Sequence, residues 1–174
     1  ACFWVAYVVF KVFMQIFVMR HGQAEMLAAN DTQRPLTQSG IEEAHVMGQW
    51  LLKNSPAFDC IFVSPYTRAQ QTADAVINAL NYVVKRETLA IITPEDNAKD
   101  VHGYLDTVCS QGQYKSILLV SHMPLVSYLV AELTVEHTMP MFQTASVAHI
   151  AYNLDKMSGE LLALVSPNDI EAAF

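Results

Sequence analysis

Apolar positions along this chain follow two alternating rhythms. Gln15–Met19, Cys60–Val63 and Ser116–Val120 are short, nearly unbroken apolar runs rich in Val, Ile and Phe. Runs of this kind suit parallel strands covered on both faces. The stretches between them carry a helical period. From Thr37 onward, Ile41, Ala44, Gly48, Leu51 and Leu52 share one face, with Thr37 placed to cap the amino end. Ala69, Thr72, Ala73, Val76 and Leu80 repeat the period, as do Val101, Tyr104, Leu105 and Val108, and a short apolar helix over Leu125–Leu133 follows Pro124. Strands alternating with helices predict an α/β fold: one three-layer domain whose mostly parallel sheet is flanked by helices. The end of the chain differs. Ala145–Leu154 and Glu160–Val165 read as two strands around a turn over residues 155–159, which adds an antiparallel C-terminal element.

The amino terminus is apolar for longer than a strand requires. Over residues 1–19 only Lys11 and Gln15 interrupt the run, and its length approaches that of a membrane span. A signal peptide fits poorly, because no basic segment precedes the run and no small-residue cleavage site follows it. Gln15–Met19 instead leads straight into Arg20-His21-Gly22, as a buried strand leads into a loop, and a membrane helix would consume that strand. The expectation is therefore a hydrophobic extension of doubtful status over residues 1–13, a natural start at Met14, and one domain over residues 14–174. A membrane-anchored chain is the alternative.

Composition narrows the class. Of 174 residues, 52% are hydrophobic and 16% charged, which excludes a disordered chain, and a net charge of −7 argues against a nucleic-acid binder. Cys2, Cys60 and Cys109 are widely spaced and form no CxxC pair, so neither a disulfide framework nor a zinc site is indicated. Buried thiols in a reducing, cytoplasmic compartment are expected.

The chain has only four arginines, Arg20, Arg34, Arg68 and Arg86. The first three stand in or just after strand-to-helix turns, where open α/β sheets bind ligands. The turns after the three apolar runs carry Arg20-His21-Gly22, Ser64-Pro65-Tyr66-Thr67-Arg68 and Ser121-His122-Met123-Pro124. A doubly wound sheet would bring two arginines and two histidines to one edge and make a positive pocket in an acidic protein. Guanidinium forks match phosphate oxygens, so the pocket suits a phosphoryl group. Gly22 allows close backbone approach. Arg34 either touches substrate or closes a surface ion pair. His45, His102, His137 and His149 read as surface or satisfied core residues. A metal between His21 and His122 is disfavoured by the neighbouring arginines and by the lack of ligand spacing such as HExxH, so neither metal nor cofactor is expected.

Arg20-His21-Gly22 after a strand resembles the RHG signature of the histidine phosphatase, or phosphoglycerate-mutase-like, superfamily. The likeness extends to Arg34-Pro35-Leu36-Thr37-Gln38-Ser39-Gly40, to Ser64 through Thr72, to Ser121 through Val126 and to Tyr128 through Leu133, all similar to the SixA branch of phosphohistidine phosphatases. It covers roughly Met14 to Pro167. The resemblance implies a covalent route in which His21 becomes a transient phosphohistidine while Arg20, Arg68 and His122 hold the phosphoryl oxygens. It also implies a phosphorylated histidine-containing phosphotransfer domain or phosphocarrier protein as partner. His21 should then be neutral and His122 protonated, in environments that separate their pKa values.

Ester-cleaving relatives use a carboxylic acid to protonate the departing oxygen. Glu95 could supply it here, although the stretch around Asp96 and Asn97 also reads as a helix-capping loop. A phosphatase for small phosphate esters is the alternative function, and a non-catalytic phosphohistidine-binding module is a third.

Overall fold

Strands β1 (Phe13–Arg20), β2 (Cys60–Val63), β3 (Lys85–Thr88), β4 (Ser116–Ser121), β5 (Val147–Asn153) and β6 (Ser158–Val165) form one sheet in the order β3-β2-β4-β1-β5-β6. The computed structural model describes residues 13–171. Strands β3, β2, β4 and β1 are mutually parallel, while β5 runs antiparallel to β1 and β6 antiparallel to β5. Helices α1 (Gln38–Asn54), α2 (Thr67–Leu80), α3 (Ala98–Gly112), α4 (Leu125–Leu133) and α5 (Pro167–Glu171) complete the chain.

The apolar runs are explained by burial on both faces. Successive strand residues point to opposite sides, so Ile16, Val18, Cys60, Phe62, Ile117 and Leu119 pack with α3 and α4. Phe17, Met19, Ile61, Val63, Leu118 and Val120 pack with α1 and α2 on the other side. Gly48 lets those two helices approach, since a Cβ there would come within 2.7 Å of the Ala79 methyl carbon. Thr37 caps α1 by accepting from the Gly40 amide at 3.0 Å, and Asn97 caps α3 by accepting from the Lys99 amide at 2.9 Å.

The C-terminal hairpin forms as expected, with its turn shifted. The Asn153 side chain accepts from the Asp155 and Lys156 amides at 2.9 and 3.1 Å, and Met157 takes the left-handed conformation with φ 53°. Gly159 lies inside β6, where a Cβ would sit 2.3 Å from the Ala151 carbonyl oxygen. Strand β3 goes unannounced by any apolar run, because Lys85–Thr88 is an edge strand with no fully buried residue. Its charges suit an edge that must not recruit further strands. Arg86 is spent there, paired with Asp74 at 2.5 Å.

At the amino end β1 begins at Phe13, which pairs with Asn153. The expected extension and the membrane-anchored alternative otherwise fall on residues 1–12, outside the described residues, as does Cys2. Among the described residues no helix is long and apolar enough to cross a membrane. Cys60 and Cys109 are free and buried. Burial is the main cause that pushes their thiols up to about 11 and about 12.

Candidate active site

Parallel pairing of β2, β4 and β1 sets three carboxyl-terminal turns side by side. The His21 amide donates to Ser121 O and the Ser64 amide to Val120 O, each at 3.0 Å, so neighbouring turns are tied to one another. Arg20, His21, Arg68 and His122 meet at this edge, as the sequence led us to expect.

His21 is only 7% exposed. Its Nδ1 lies 2.7 Å from Gly22 O. A carbonyl only accepts, so Nδ1 carries the ring proton and Nε2 keeps its lone pair. That lone pair accepts from Arg68 Nε–H at 3.2 Å. Burial, opposed by the Gly22 hydrogen bond and reinforced by Arg68, Arg20 and Arg34, holds the His21 pKa down at about 4. The imidazole is thus neutral and oriented, as a nucleophile requires.

Arg68 is fully enclosed. Besides His21, it donates from Nη1 to Asp31 O at 2.6 Å and from Nη2 to the Asp31 carboxylate at 3.1 Å, and its guanidinium lies 5.1 Å from the centroid of Tyr66. Arg20 donates from Nη1 to Phe142 O at 2.7 Å. Desolvation lowers its pKa from the usual arginine range, with Glu43 opposing.

His122 has Nε2 2.7 Å from the Ser64 hydroxyl, and its ring centroid is 5.1 Å from that of His21 and 5.0 Å from Tyr66. Burial first, then His21 and the three arginines, push its pKa down to about 2. The two histidines were expected to be driven apart in pKa. Both are instead driven down, because both are buried and, in addition, share one set of cations. Protonation of His122 therefore requires an anion beside it.

Among the described residues, five buried side-chain atoms lack a hydrogen-bond partner; Arg20 Nε and His122 Nδ1 belong to this edge, as does Arg34 Nε, which nonetheless lies 3.3 Å from the Asp31 carboxylate. Unsatisfied buried polar groups are costly, and their concentration here marks a place prepared for a polyvalent anion.

Other expected residues fall differently. Arg34 stands at the rim with Nε 3.3 Å from Asp31 Oδ1, so it closes an ion pair and also adds to the field on both histidines. Gly22 serves close approach between backbones: a Cβ there would lie 2.4 Å from Gly40 O, and its amide donates to Thr72 Oγ1 at 3.0 Å. Glu95 is exposed and lines a surface cavity with Lys99, Tyr128, Glu132, His137 and Met139, and the described structure gives it no hydrogen bond or ion pair to the four central residues. Asp96 folds back to cap Thr93, accepting from its amide at 2.7 Å. Among the described residues no group of three or more His, Cys, Asp or Glu gathers as metal ligands do.

Sequence reasoning overlooked the supporting residues. Ser64 orients His122, Tyr66 flanks both His122 and Arg68, and Thr72 ties Gly22 to the Arg68 carbonyl, to which it donates at 2.7 Å. Asp31, the sole acidic residue between Glu25 and Glu42, comes from a loop with no apolar period to place it. Its isolation beside Arg34 was the available signal.

The chain matches the histidine phosphatase superfamily (branch 1) over residues 16–92. It is 38% identical over 160 residues to phosphohistidine phosphatase SixA of Escherichia coli (strain K12), an alignment covering 92% of this chain and 98% of that protein. A SixA homolog of Haemophilus influenzae is 39% identical over 150 residues, covering 82% and 91% of the two chains. The structure of a protein histidine phosphatase SixA complexed with tungstate superposes with a TM-score of 0.85 at 38% identity, over 90% of this chain and 99% of the other. A phosphoglycerate mutase from Bacillus anthracis shares the fold, with a TM-score of 0.73 at 14% identity. An RHG turn, a second histidine and a second arginine assembled on this sheet, with relatives aligned along nearly their whole length, identify the chain as a SixA-type member of the histidine phosphatase superfamily.

Proposed function

We propose that this hydrolase removes the phosphoryl group from phosphohistidine on a cytoplasmic phosphotransfer domain or phosphocarrier protein, through a transient phosphohistidine on His21. The observation that carries the reading is the neutral His21, its Nδ1–H held by Gly22 O at 2.7 Å and its Nε2 lone pair turned toward Arg68. In the first step that lone pair attacks phosphorus. The bond from phosphorus to the substrate nitrogen breaks and its electron pair stays on that nitrogen, so an imidazole protonated at its other nitrogen leaves neutral. Water then attacks phosphorus and the bond to Nε2 breaks. Its pair returns to His21, Nδ1 keeps its proton, and both water protons leave on the product as dihydrogen phosphate.

The arginines and His122 carry the charge that develops between these steps. Arg68 has five N–H groups and commits three to the contacts described, which leaves two for phosphoryl oxygens. Arg20 Nε is buried without a partner. When the Ser64 hydroxyl donates to His122 Nε2, Nδ1 carries the ring proton and becomes a further donor. An arriving dianion raises the His122 pKa and draws a second proton onto the ring.

Two features favour a protein phosphoramidate over a small ester. No carboxylic acid joins the four central residues from the Glu95 loop, and a P–N bond with a protonated imidazole needs none. The loops beside the edge also leave Met26, Leu27, Met139 and Met141 largely exposed, as adaptable apolar surfaces for a partner would be. The test is hydrolysis of a phosphohistidine peptide beside an aryl phosphate, with chelator present, by wild type and His21→Ala. We expect preference for the peptide, insensitivity to chelator and loss of turnover in the variant. Preference for the ester would move the function to small-molecule phosphatase.

A further inference from the structure

The carboxylate at the outer end of Arg68 has no place in the steps above. Asp31 stands on a single 3-10 turn (Asp31–Gln33) in the loop after Gly22, and its side chain is 61% exposed although it pairs with the buried Arg68 at 3.1 Å and with Arg34 at 3.3 Å. The Arg68 guanidinium therefore runs from His21 at one end, through Nε, to Asp31 at the other, through Nη1 and Nη2. A phosphoryl group gripped along it would have the nucleophile at one end of the guanidinium and the carboxylate at the other.

A carboxylate is a poor neighbour for a departing alkoxide or phenolate, which it repels. For phosphohistidine the reverse holds. The imidazole leaves readily only while its distal nitrogen bears a proton, and in that state the ring is cationic. A carboxylate accepting from the distal N–H raises the pKa of that nitrogen, so a larger fraction of the substrate carries the protonated ring that can leave. His21 already has this arrangement, its Nδ1–H held by Gly22 O. The transfer is then between two imidazoles, each with an acceptor on its far nitrogen.

Resting on the phosphohistidine reading, we infer that Asp31 is a specificity-determining residue that accepts from the distal N–H of the substrate imidazole and selects phosphoramidates over phosphate esters. Asp31→Asn isolates the charge, because the backbone carbonyl that holds Arg68 Nη1 remains. The measurement is kcat/KM on a phosphohistidine peptide and on an aryl phosphate, each from pH 5 to 9, for wild type, Asp31→Asn and Asp31→Glu. A charge-assisted hydrogen bond at the leaving group predicts that Asp31→Asn lowers the peptide-to-ester ratio about tenfold or more. It also predicts that the alkaline limb on the peptide moves to lower pH, with partial recovery in Asp31→Glu. A parallel fall on both substrates with no movement of the limb would make Asp31 a mere support of Arg68 and overturn the role. No change on either substrate would overturn it equally. If wild type itself fails on the peptide while cleaving the ester, the functional reading falls first and this role with it.

Discussion

Two buried histidines, one on helix α3 and one in the turn after β4, meet opposite company. His102 on α3 lies 2.6 Å from the Tyr152 hydroxyl and 3.2 and 3.3 Å from the Glu132 and Asp106 carboxylates, while Tyr152 donates to Asp106 at 2.5 Å. Both ring nitrogens have partners and acidic groups sit at hand. His122 has one hydroxyl, an unpartnered Nδ1 and a field set by three arginines. The first environment gives both ring nitrogens partners and joins α3, α4 and β5, although Asp106 Oδ2 there has no hydrogen-bond donor. The second is incomplete without an anion. Burial alone therefore does not separate a structural histidine from a functional one. The sign of the surrounding charge and a ring nitrogen left without a partner do.

The sharpest way to break the comparison is to remove one histidine from each environment. His21→Asn should cost at least about 10³-fold in single-turnover hydrolysis of phosphohistidine while leaving the denaturation midpoint unchanged or raised. His102→Asn should keep turnover within about twofold and lose about 1–3 kcal/mol in urea denaturation, because it strands Tyr152, Asp106 and Glu132. Loss of turnover from both variants, with neither destabilised, would erase the distinction.

Acid titration of stability comes next in size. His21 has a folded-state pKa of about 4 against an ordinary value of 6.5, so between those values the unfolded chain binds the extra proton. Stability is complete above pH 6.5 and drains as pH falls toward 4, by something on the order of 3 kcal/mol for this group. His122, held at about 2, adds to the loss over the same range and continues it below. Urea midpoints measured from pH 7 to 4.5 should fall steadily in wild type, and His21→Asn should flatten part of the slope. An unchanged slope in that variant would mean that burial and the site's cations do not depress His21.

Oxyanion binding probes the same deficit from the other direction. Tungstate or phosphate at a hundredfold excess over Kd should stabilise wild type by about 2.7 kcal/mol. Arg68→Ala should abolish that gain in a thermal-shift titration, whereas His102→Asn should retain it.

The legibility of the molecule follows the same division. The apolar runs for β1, β2 and β4 were readable because both faces of each strand are buried, and their parallel pairing alone carries Arg20, Arg68, His21 and His122 to one edge. β3 was unreadable because an edge strand, Lys85–Thr88, has no buried face to write a pattern. Residue type announced the cations, but Ser64, Tyr66 and Thr72 act through distances that no spacing encodes. Asp31 and Glu95 show the limit most directly. Both are acidic residues in loops near the sheet edge. Only the fold decides that Asp31 reaches Arg68 while Glu95 faces a surface cavity with Lys99 and Glu132.

The smallest effect concerns the rim. Arg34 is 27% exposed and paired with Asp31, so its removal costs solvent-screened charge rather than a buried contact. If it guides the phosphoryl group, Arg34→Gln raises KM by about threefold to tenfold and leaves kcat near wild type. Since a partly exposed charge is screened within a Debye length, the difference should also shrink as salt rises from 0.05 to 0.5 M. If it serves only Asp31, KM holds and the alkaline limb on phosphohistidine moves instead, because the carboxylate has lost one of its two cations. The salt series and the pH series thus place Arg34 either with the cations that bind the anion or with the carboxylate that faces the leaving group.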